Sequence, residues 1–235
     1  MTAWSAVKES KAHAQIVGVI ASRADLRFAL RMRLPPDLFE LRLDQLPGCL
    51  DELEEKAPTL RIPLIITARH PAEGGANRLS TQRRLALLLR FLPHARYVDV
   101  ELRSAKALKS ILDLARRKSI RRIISFHDFD NTPSIRTLKG KARAAKSAGA
   151  NIFKVATRTN TPAQLERLLD FVAGHDVDLA VAAMGLGKLG SISRIILAQL
   201  GSPLIYASLR QPAIEGQFSL QRLRSALAAL KIKEG

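Results

Sequence analysis

Apolar runs of strand length recur along the whole chain and alternate with amphipathic helical patterns. The predicted strands are 15–20, 38–43, 63–67, 97–101, 122–126, 151–157, 178–184 and 203–208. The predicted helices are 81–92, 105–118, 134–147, 162–174, 187–200 and 219–231, and weaker helical patterns follow the first two strands. Eight β-then-α units of about 29 residues each predict an α/β fold, a single-domain (β/α)8 TIM barrel over residues 1–235. A doubly wound open sheet is the alternative.

Charged residues interrupt the apolar pattern where the predicted strands end. They are Glu40, Arg42 and Asp44 on strand two, Arg69 after strand three, Asp99 and Glu101 on strand four, His127 on strand five and Lys154 on strand six. In a barrel the carboxyl ends of all strands meet at one mouth, and side chains two positions apart share a face. A structural ion network explains one or two buried charges, but charges from five successive strands indicate a functional site.

Lys154 is the strongest of these signals because it lies inside the apolar run 151–157. A buried lysine is costly unless its charge is paired or its proton is lost, and a neutral amine is a nucleophile toward carbonyl carbons. Arg69 and Arg194 are expected near this amine, where their charges and burial would favour its neutral form. His127 ends the preceding strand and suits proton transfer. Together the two residues suggest a Schiff-base lysine with a histidine proton shuttle.

The net charge of +17 on 235 residues raises the question of a polyanionic partner. The basic residues are concentrated between positions 103 and 146. They fall at helix-surface spacing, and no aromatic stacking residues are interleaved with them. This pattern favours solvated outer faces of helices over nucleic-acid binding.

The remaining composition bears on compartment and cofactors. The single cysteine, Cys49, allows no internal disulfide and fits a reducing compartment. No histidine–cysteine cluster has the spacing of a zinc site. No segment has the length and apolar character of a signal peptide or a membrane span. We therefore expect a cytoplasmic protein without a membrane anchor.

Residues 185–190 read Gly-Leu-Gly-Lys-Leu-Gly, a GxGxxG pattern between a strand and a helix. The pattern is weak support for a dinucleotide site, because it follows the seventh strand and no acid lies about 20 residues further on. A tight strand-to-helix turn is the plain interpretation. We favour a third one, in which backbone amides at the helix start and the nearby Arg194 bind a small anion such as a carboxylate.

Taken in order, the motifs resemble those of the type I 3-dehydroquinase family. The matching segments are Glu40-Leu-Arg42-Leu-Asp44, Ile66-Thr67-Ala-Arg69 with Glu73-Gly-Gly, Val98-Asp-Val-Glu101-Leu, Ser125-Phe-His127-Asp-Phe, Phe153-Lys154-Val-Ala-Thr157, Met184-Gly185 through Ser193-Arg194-Ile195, and Gly216-Gln217. The similarity runs from about residue 15 to the C-terminus. Each motif is short, but seven of them in this order at barrel spacing are specific.

The resemblance implies a (β/α)8-barrel lyase that converts 3-dehydroquinate to 3-dehydroshikimate in the shikimate pathway of aromatic amino acid biosynthesis, with no metal or cofactor. Its small anionic substrate is held as an imine on a lysine while a histidine moves protons. The implied catalytic residues are Lys154, His127 and Glu73, and the implied substrate-binding residues are Glu40, Arg42, Arg69, Arg194 and Gln217. The family is often dimeric, so a homodimer is one expectation, and the sequence leaves the oligomeric state open.

Two features depart from the family pattern. The last loop of the family usually reads Ser/Thr-Ala-Pro-Gly-Gln, whereas residues 213–217 read Ala-Ile-Glu-Gly-Gln. The substitution removes a hydroxyl and places the charge of Glu215 near a carboxylate-binding loop. We therefore expect weaker affinity unless Glu215 turns to solvent or pairs with a basic residue such as Arg210. Residues 1–14 are too few for the N-terminal hairpin that often caps such barrels, and we expect a short, frayed segment there.

Two other functions stay open at this point. Another Schiff-base barrel lyase, such as an aldolase acting on a sugar phosphate, predicts a phosphate cradle after strands seven and eight. The charge of Glu215 argues against a dianion in that position. A non-enzymatic polyanion binder that uses residues 103–146 leaves the charged strand ends unexplained.

Overall fold

The computed structural model describes residues 14–174, 176–212 and 214–231. Within them are nine strands and eight α-helices, which alternate along the chain except that the last two strands have no helix between them. The strands are β1 (Gln15–Ile20), β2 (Leu38–Arg42), β3 (Leu64–Thr67), β4 (Tyr97–Glu101), β5 (Arg121–Asp128), β6 (Ile152–Arg158), β7 (Ala180–Leu186), β8 (Leu204–Ser208) and β9 (Phe218–Ser219). The helices are α1 (Arg23–Ala29), α2 (Leu50–Lys56), α3 (Thr81–Phe91), α4 (Lys109–Arg117), α5 (Ile135–Ser147), α6 (Pro162–Ala173), α7 (Gly190–Gln199) and α8 (Leu220–Lys231).

The strands form one curled parallel sheet. Their order is β7-β6-β5-β4-β3-β2-β1-β8-β9, so β1 pairs with β2 on one side and with β8 on the other. At the far end β7 contacts β8, and the N–H of Ala183 donates to Ser202 Oγ just before that strand. The fold is therefore the predicted (β/α)8 barrel, and the open doubly wound sheet is excluded.

Strand β6 shows how alternation along a strand places the site. Ile152 and Ala156 belong to an apolar cluster inside the barrel, whereas Phe153 and Val155 belong to the larger cluster between strands and helices. Lys154 lies two positions from each of the inward residues and therefore points inward with them. Its side chain is buried, with 4% of the residue exposed. The inward position of this lysine is as the sequence predicts.

Several element boundaries differ from the prediction. Strand β5 extends two residues beyond the predicted range and ends at Asp128, so that His127 lies within the strand. Strand β7 is shifted two residues toward the C-terminus of the predicted range. Helix α4 begins at Lys109 instead of 105, after a 3₁₀ turn over Leu102–Ser104. Helix α7 begins at Gly190 instead of 187, because Gly187 has a φ of 84°, which lies outside the right-handed helical region.

The predicted N-terminal segment lies almost wholly outside the described residues, which begin at position 14. None of the helices in the described ranges combines the length and the apolar character needed to cross a membrane.

Candidate active site

A cavity of about 370 Å³ opens at the carboxyl ends of the barrel strands. The residues assigned from the sequence all line it, and they are Glu40, Arg42, Arg69, Glu73, His127, Lys154, Arg194 and Gln217. They come from five different strands or the segments that follow them, and from α7. Barrel closure is what brings them together, as expected for side chains at the carboxyl ends of barrel strands.

The amine of Lys154 lies between two carboxylates. Its Nζ is 3.0 Å from Oδ2 of Asp99 and 3.3 Å from Oε1 of Glu40. The ring of Tyr206 faces it, with 4.0 Å between Nζ and the ring centroid. Acids are therefore the direct contacts of this amine, and Arg69 pairs with the same two acids. The expectation that Arg69 and Arg194 favour the neutral form of the amine stays a prediction. Carboxylates and an aromatic face stabilise a cation, whether an ammonium or an iminium ion.

Arg69 fixes one of these acids from the neighbouring strand. Its guanidinium donates to both oxygens of Asp99, at 3.2 and 2.8 Å, and to Ser125 Oγ at 2.6 Å. It also donates to Glu101 at 3.3 Å, and Glu101 forms a second ion pair with Arg84. Burial opposes ionisation of Asp99, but the charges of Arg69 and Lys154 outweigh it and hold the pKa of Asp99 well below its usual range. Asp99 therefore remains a carboxylate beside the amine.

His127 and Glu73 form a hydrogen-bonded pair in the wall of the cavity. Oε2 of Glu73 lies 3.0 Å from the backbone nitrogen of His127 and 3.0 Å from its Nδ1. Burial, together with the charges of Arg69 and Lys154, holds the pKa of His127 well below its usual value. The imidazole is therefore neutral at neutral pH, and with Nδ1 engaged by Glu73, Nε2 is the nitrogen left for a bound ligand.

Glu73 is a buried acid rather than an exposed loop residue, with 5% of the residue exposed. Burial and the nearby carboxylate of Glu101 raise the pKa of Glu73 to about 7, against the opposing effects of Arg69, the His127 N–H and Arg103. Its carboxyl group therefore changes ionisation near neutral pH.

Arg42 is held at the rim of the cavity by Asp44. Its Nε and Nη2 donate to the two oxygens of Asp44 at 3.0 and 2.8 Å, and Nη2 also donates to the carbonyl of Gly74 at 3.1 Å. Asp44 further accepts the backbone N–H groups of Arg69 and Ala76. Asp44 therefore anchors the segments after β2 and β3, and it is not among the residues that line the cavity.

Arg194 is a buried guanidinium without an acidic partner among the described residues. Its Nη1 donates to the carbonyl oxygens of Gly185 at 2.8 Å, of Gly190 at 3.0 Å and of Gly216. Its Nε is buried and has no hydrogen-bond partner in the described part of the chain. Burial lowers the pKa of Arg194 to about 10. A fixed cation that lacks an anion is a ready contact for a ligand carboxylate.

The glycine-rich turn that precedes α7 does not supply free backbone amides. The N–H groups of Gly187, Lys188 and Leu189 each donate at 3.0 Å to an oxygen of the protein. These three amides are therefore occupied and do not contribute to the interpretation of this segment as an anion site. Arg194 remains a candidate contact for an anion.

The loop between β8 and β9 carries Gln217 into the cavity wall. At its outer edge, Oε2 of Glu215 lies 3.4 Å from Nη1 of Arg158, whose Nε donates to the carbonyl of Phe129 at 2.8 Å. Glu215 therefore pairs with Arg158 rather than with Arg210. Its carboxylate is not among the groups that line the cavity, so the chain accommodates its departure from the family loop through an ion pair.

The residues assigned from the sequence omit Asp99 and Tyr206, although both contact Lys154. Asp99 carried a usable signal, since it is a charge in the inward register of a short apolar strand. Tyr206 carried no such signal apart from its inward position on the strand, because aromatic residues in strands are usually part of the hydrophobic core. Its hydroxyl is buried and has no hydrogen-bond partner within the described residues.

The cavity thus combines a primary amine, two acids beside it, a neutral imidazole oriented by a carboxyl group, and an unpaired guanidinium. Such a set can bind an anionic carbonyl compound, form an imine and remove a neighbouring proton. Within the described ranges, no group of three or more His, Cys, Asp or Glu side chains is arranged to hold a metal ion.

Comparisons with known proteins agree with this chemistry. The family model described as type I 3-dehydroquinase matches residues 17–234. A 3-dehydroquinate dehydratase of Pyrococcus abyssi is 36% identical over 195 residues, covering 83% of this chain and 87% of the relative. One of Thermococcus gammatolerans is 35% identical over 219 residues, covering 92% and 98%. The crystal structure of 3-dehydroquinate dehydratase from Geobacillus kaustophilus matches with a TM-score of 0.85 at 26% identity, covering 94% of this chain and 93% of that one. The chain belongs to the type I 3-dehydroquinase family.

Proposed function

We propose that this chain is a 3-dehydroquinate dehydratase, a lyase of the shikimate pathway that forms 3-dehydroshikimate through an imine on Lys154. The observation that carries the proposal is the buried amine between Asp99 and Glu40, in the same cavity as the Glu73–His127 pair. Membership of the type I family supports the same reaction.

Substrate binding begins with charge. 3-Dehydroquinate carries one carboxylate, and Arg194 offers a buried cation whose Nε is free to donate. Gln217 adds an amide group to the same cavity, and Glu40, Arg42 and Arg69 add polar groups for the substrate hydroxyls. This arrangement orients the ketone of the substrate toward Lys154.

Imine formation follows once the ammonium of Lys154 has given up a proton. The free amine attacks the ketone carbon to give a carbinolamine. The hydroxyl group of this adduct takes up that proton and leaves as water, which forms an iminium ion. Asp99 stays ionised 3.0 Å from Nζ and stabilises the iminium charge, as does the face of Tyr206. The iminium withdraws electrons from the adjacent carbon and acidifies its C–H bond.

His127 then completes the elimination. Its neutral Nε2 accepts the proton, and the electron pair of the C–H bond forms an enamine. The enamine expels the hydroxyl group one carbon further on, and the imidazolium gives that group the proton, so that it leaves as water. A second water hydrolyses the conjugated iminium and regenerates the amine. The net change is the loss of one water from the substrate.

A turnover assay tests the function directly. We expect the purified chain to convert 3-dehydroquinate to a product with the absorbance of a conjugated enone. A sugar-phosphate aldolase would leave 3-dehydroquinate unchanged and cleave a sugar phosphate instead, and a polyanion binder would do neither. Absence of enone formation by folded protein would contradict the proposal.

Arg194→Ala should raise the KM for 3-dehydroquinate about 10–150-fold and change kcat less, because a charge-assisted contact to a carboxylate contributes about 1.5–3 kcal/mol. The variant also loses three hydrogen bonds to carbonyls, so its Tm should be measured beside the kinetics. Arg116→Ala, on the exposed face of α4, is the matched control and should leave KM unchanged. An unchanged KM with lost turnover would assign Arg194 to the chemistry instead.

The proposal extends to partners and compartment. The enzyme acts in the cytoplasm on a small anionic substrate, without metal or cofactor, and a homodimer stays a prediction. The basic outer faces of the helices are solvated rather than bound to nucleic acid. Support for this comes from their pairing with exposed acids, which include Lys109 with Asp113 and Arg143 with Asp176.

A further inference from the structure

The Glu73–His127 pair stands between two cavities. One is the active-site cavity, and the other is an outer groove of about 410 Å³ whose lining also includes Glu73 and His127. The groove is lined further by Arg103, Asp128, Asp130 and Lys141, among others. Residues of the outer groove can therefore contact the acid–base pair from the side opposite the substrate.

Arg103 is the cation of this groove that meets Glu73. Its Nε lies 3.8 Å from Oε1 of Glu73, the oxygen that His127 does not use, and its side chain is 49% exposed. Of the other charged residues in the groove, Lys141 and Asp128 have contacts of their own, and Asp130 is exposed to solvent. Lys141 Nζ lies 3.9 Å from the centroid of the Phe126 ring, and Asp128 accepts two backbone N–H groups of its own turn.

The inner side of Glu73 faces two further charged groups. Glu101 opposes the ionisation of Glu73 and Arg69 favours it, but both are tied into the buried network around Asp99. Among the arginines and lysines of the described residues, Arg103 alone lies within ion-pair distance of Glu73. Its side chain is also half exposed to solvent, whereas those of Arg69 and Glu101 are buried.

The ionisation of Glu73 decides which tautomer His127 adopts. An ionised carboxylate accepts Nδ1–H, so that Nε2 carries the lone pair that removes a proton from the substrate. A protonated Glu73 donates its own proton to Nδ1 and forces the hydrogen of the neutral ring onto Nε2, which then cannot act as a base.

We propose that Arg103 is a positioning residue of the reaction, which keeps Glu73 ionised from the outer groove and thereby holds His127 in the tautomer with a basic Nε2. The inference rests on the proposed function, because it concerns the base of that reaction. Arg103 does not touch the substrate cavity and acts through Glu73.

The direction of the pH effect follows from the charge. Arg103 favours the carboxylate of Glu73, so its removal raises the pKa of Glu73 and moves the loss of activity on acidification to higher pH. The Arg103 side chain is half exposed and lies 3.8 Å from the carboxylate, so the shift is small, about 0.2–0.7 pH unit. Below neutral pH this corresponds to a decrease in kcat/KM of about two- to fivefold.

The test is the pH profile of kcat/KM from about pH 5.5 to pH 9, at low salt, for the wild type, Arg103→Gln, Arg103→Lys and Lys106→Gln. We expect the acid limb of Arg103→Gln to move upward, and its kcat/KM to equal that of the wild type at the alkaline end. Arg103→Lys should restore most of the wild-type profile. Lys106→Gln removes an exposed positive charge nearby and should leave the profile unchanged. Raising the salt to about 0.5 M should shrink the shift.

A double-mutant cycle with Glu73→Gln separates this role from a structural one. In that background Arg103→Gln should have no further effect on the profile, because the group through which it acts cannot ionise. The inference would be overturned if the acid limb of Arg103→Gln coincided with that of the wild type, or if kcat/KM fell by the same factor at every pH. It would also be overturned if Arg103→Gln still changed the profile in the Glu73→Gln background. If the wild type itself has no turnover, the proposed function fails rather than this inference alone.

Discussion

Lys154→Met should abolish turnover of 3-dehydroquinate, lowering kcat by on the order of 10⁴-fold or more. Lys154 is the one lysine among the described residues that line the cavity, so no second amine there can replace it. Methionine keeps a similar length without the nucleophile or the charge. Steady-state kinetics and the absorbance of the enone product measure the effect.

The control for this variant has to address folding. Removal of the ammonium leaves Asp99 with Arg69 as its remaining cationic partner, which costs stability in a buried network. Circular dichroism and Tm should therefore accompany the kinetics. Lys118→Met makes the same substitution at an exposed position and should behave as the wild type. Turnover of Lys154→Met within tenfold of the wild type would remove the covalent mechanism.

His127→Ala should lower kcat by about 10²–10⁴-fold, because general acid–base catalysis contributes that much and this residue acts in both proton transfers. The backbone N–H of His127 still donates to Glu73 in the variant, so the loop that carries Glu73 keeps one of its anchors. Imine formation should persist, since Lys154 and its acidic neighbours are unchanged. Rate measurements on the purified variant test the first expectation, and mass spectrometry of the reduced adduct tests the second.

His94→Ala is the matched control for that substitution. His94 packs near Phe91 and is not among the residues that line the cavity, so its loss should not change kcat. Near-normal turnover of His127→Ala would move the proton transfers to another group, with Glu73 as the first candidate.

The inward positions of the site could be predicted because strand alternation is a local property. Lys154 points inward since it shares a face with Ile152 and Ala156, and the sequence alone contains that information. The same holds for His127 and for the order of strands in a (β/α)8 barrel, where each strand pairs with the next.

The partners of Lys154 could not be predicted in the same way. Alternation places both Asp99 and Glu101 inward, but it does not decide which of them meets the amine. Arg84 decides it, because it reaches in from α3 and pairs with Glu101, which leaves Asp99 to Arg69 and Lys154. A pairing that depends on a residue of an outer helix requires the packed structure.

Loop contacts were beyond the sequence for a similar reason. The pairing of Glu215 with Arg158 joins residues that are far apart in the chain, and it depends on how two loops meet above the barrel. The amides of the turn before α7 looked free in the sequence, but tertiary contacts occupy them. Such interactions are set by the path of the backbone rather than by local residue type.

The central claim is a covalent imine on Lys154, and borohydride reduction during turnover tests it most directly. Reduction converts the imine to a stable amine, so the protein should gain the mass of the bound substrate or product skeleton. Peptide mapping should place the adduct on Lys154, and Lys154→Met should show none. Modification of a different residue, or no adduct on an enzyme that is turning over, would contradict the account.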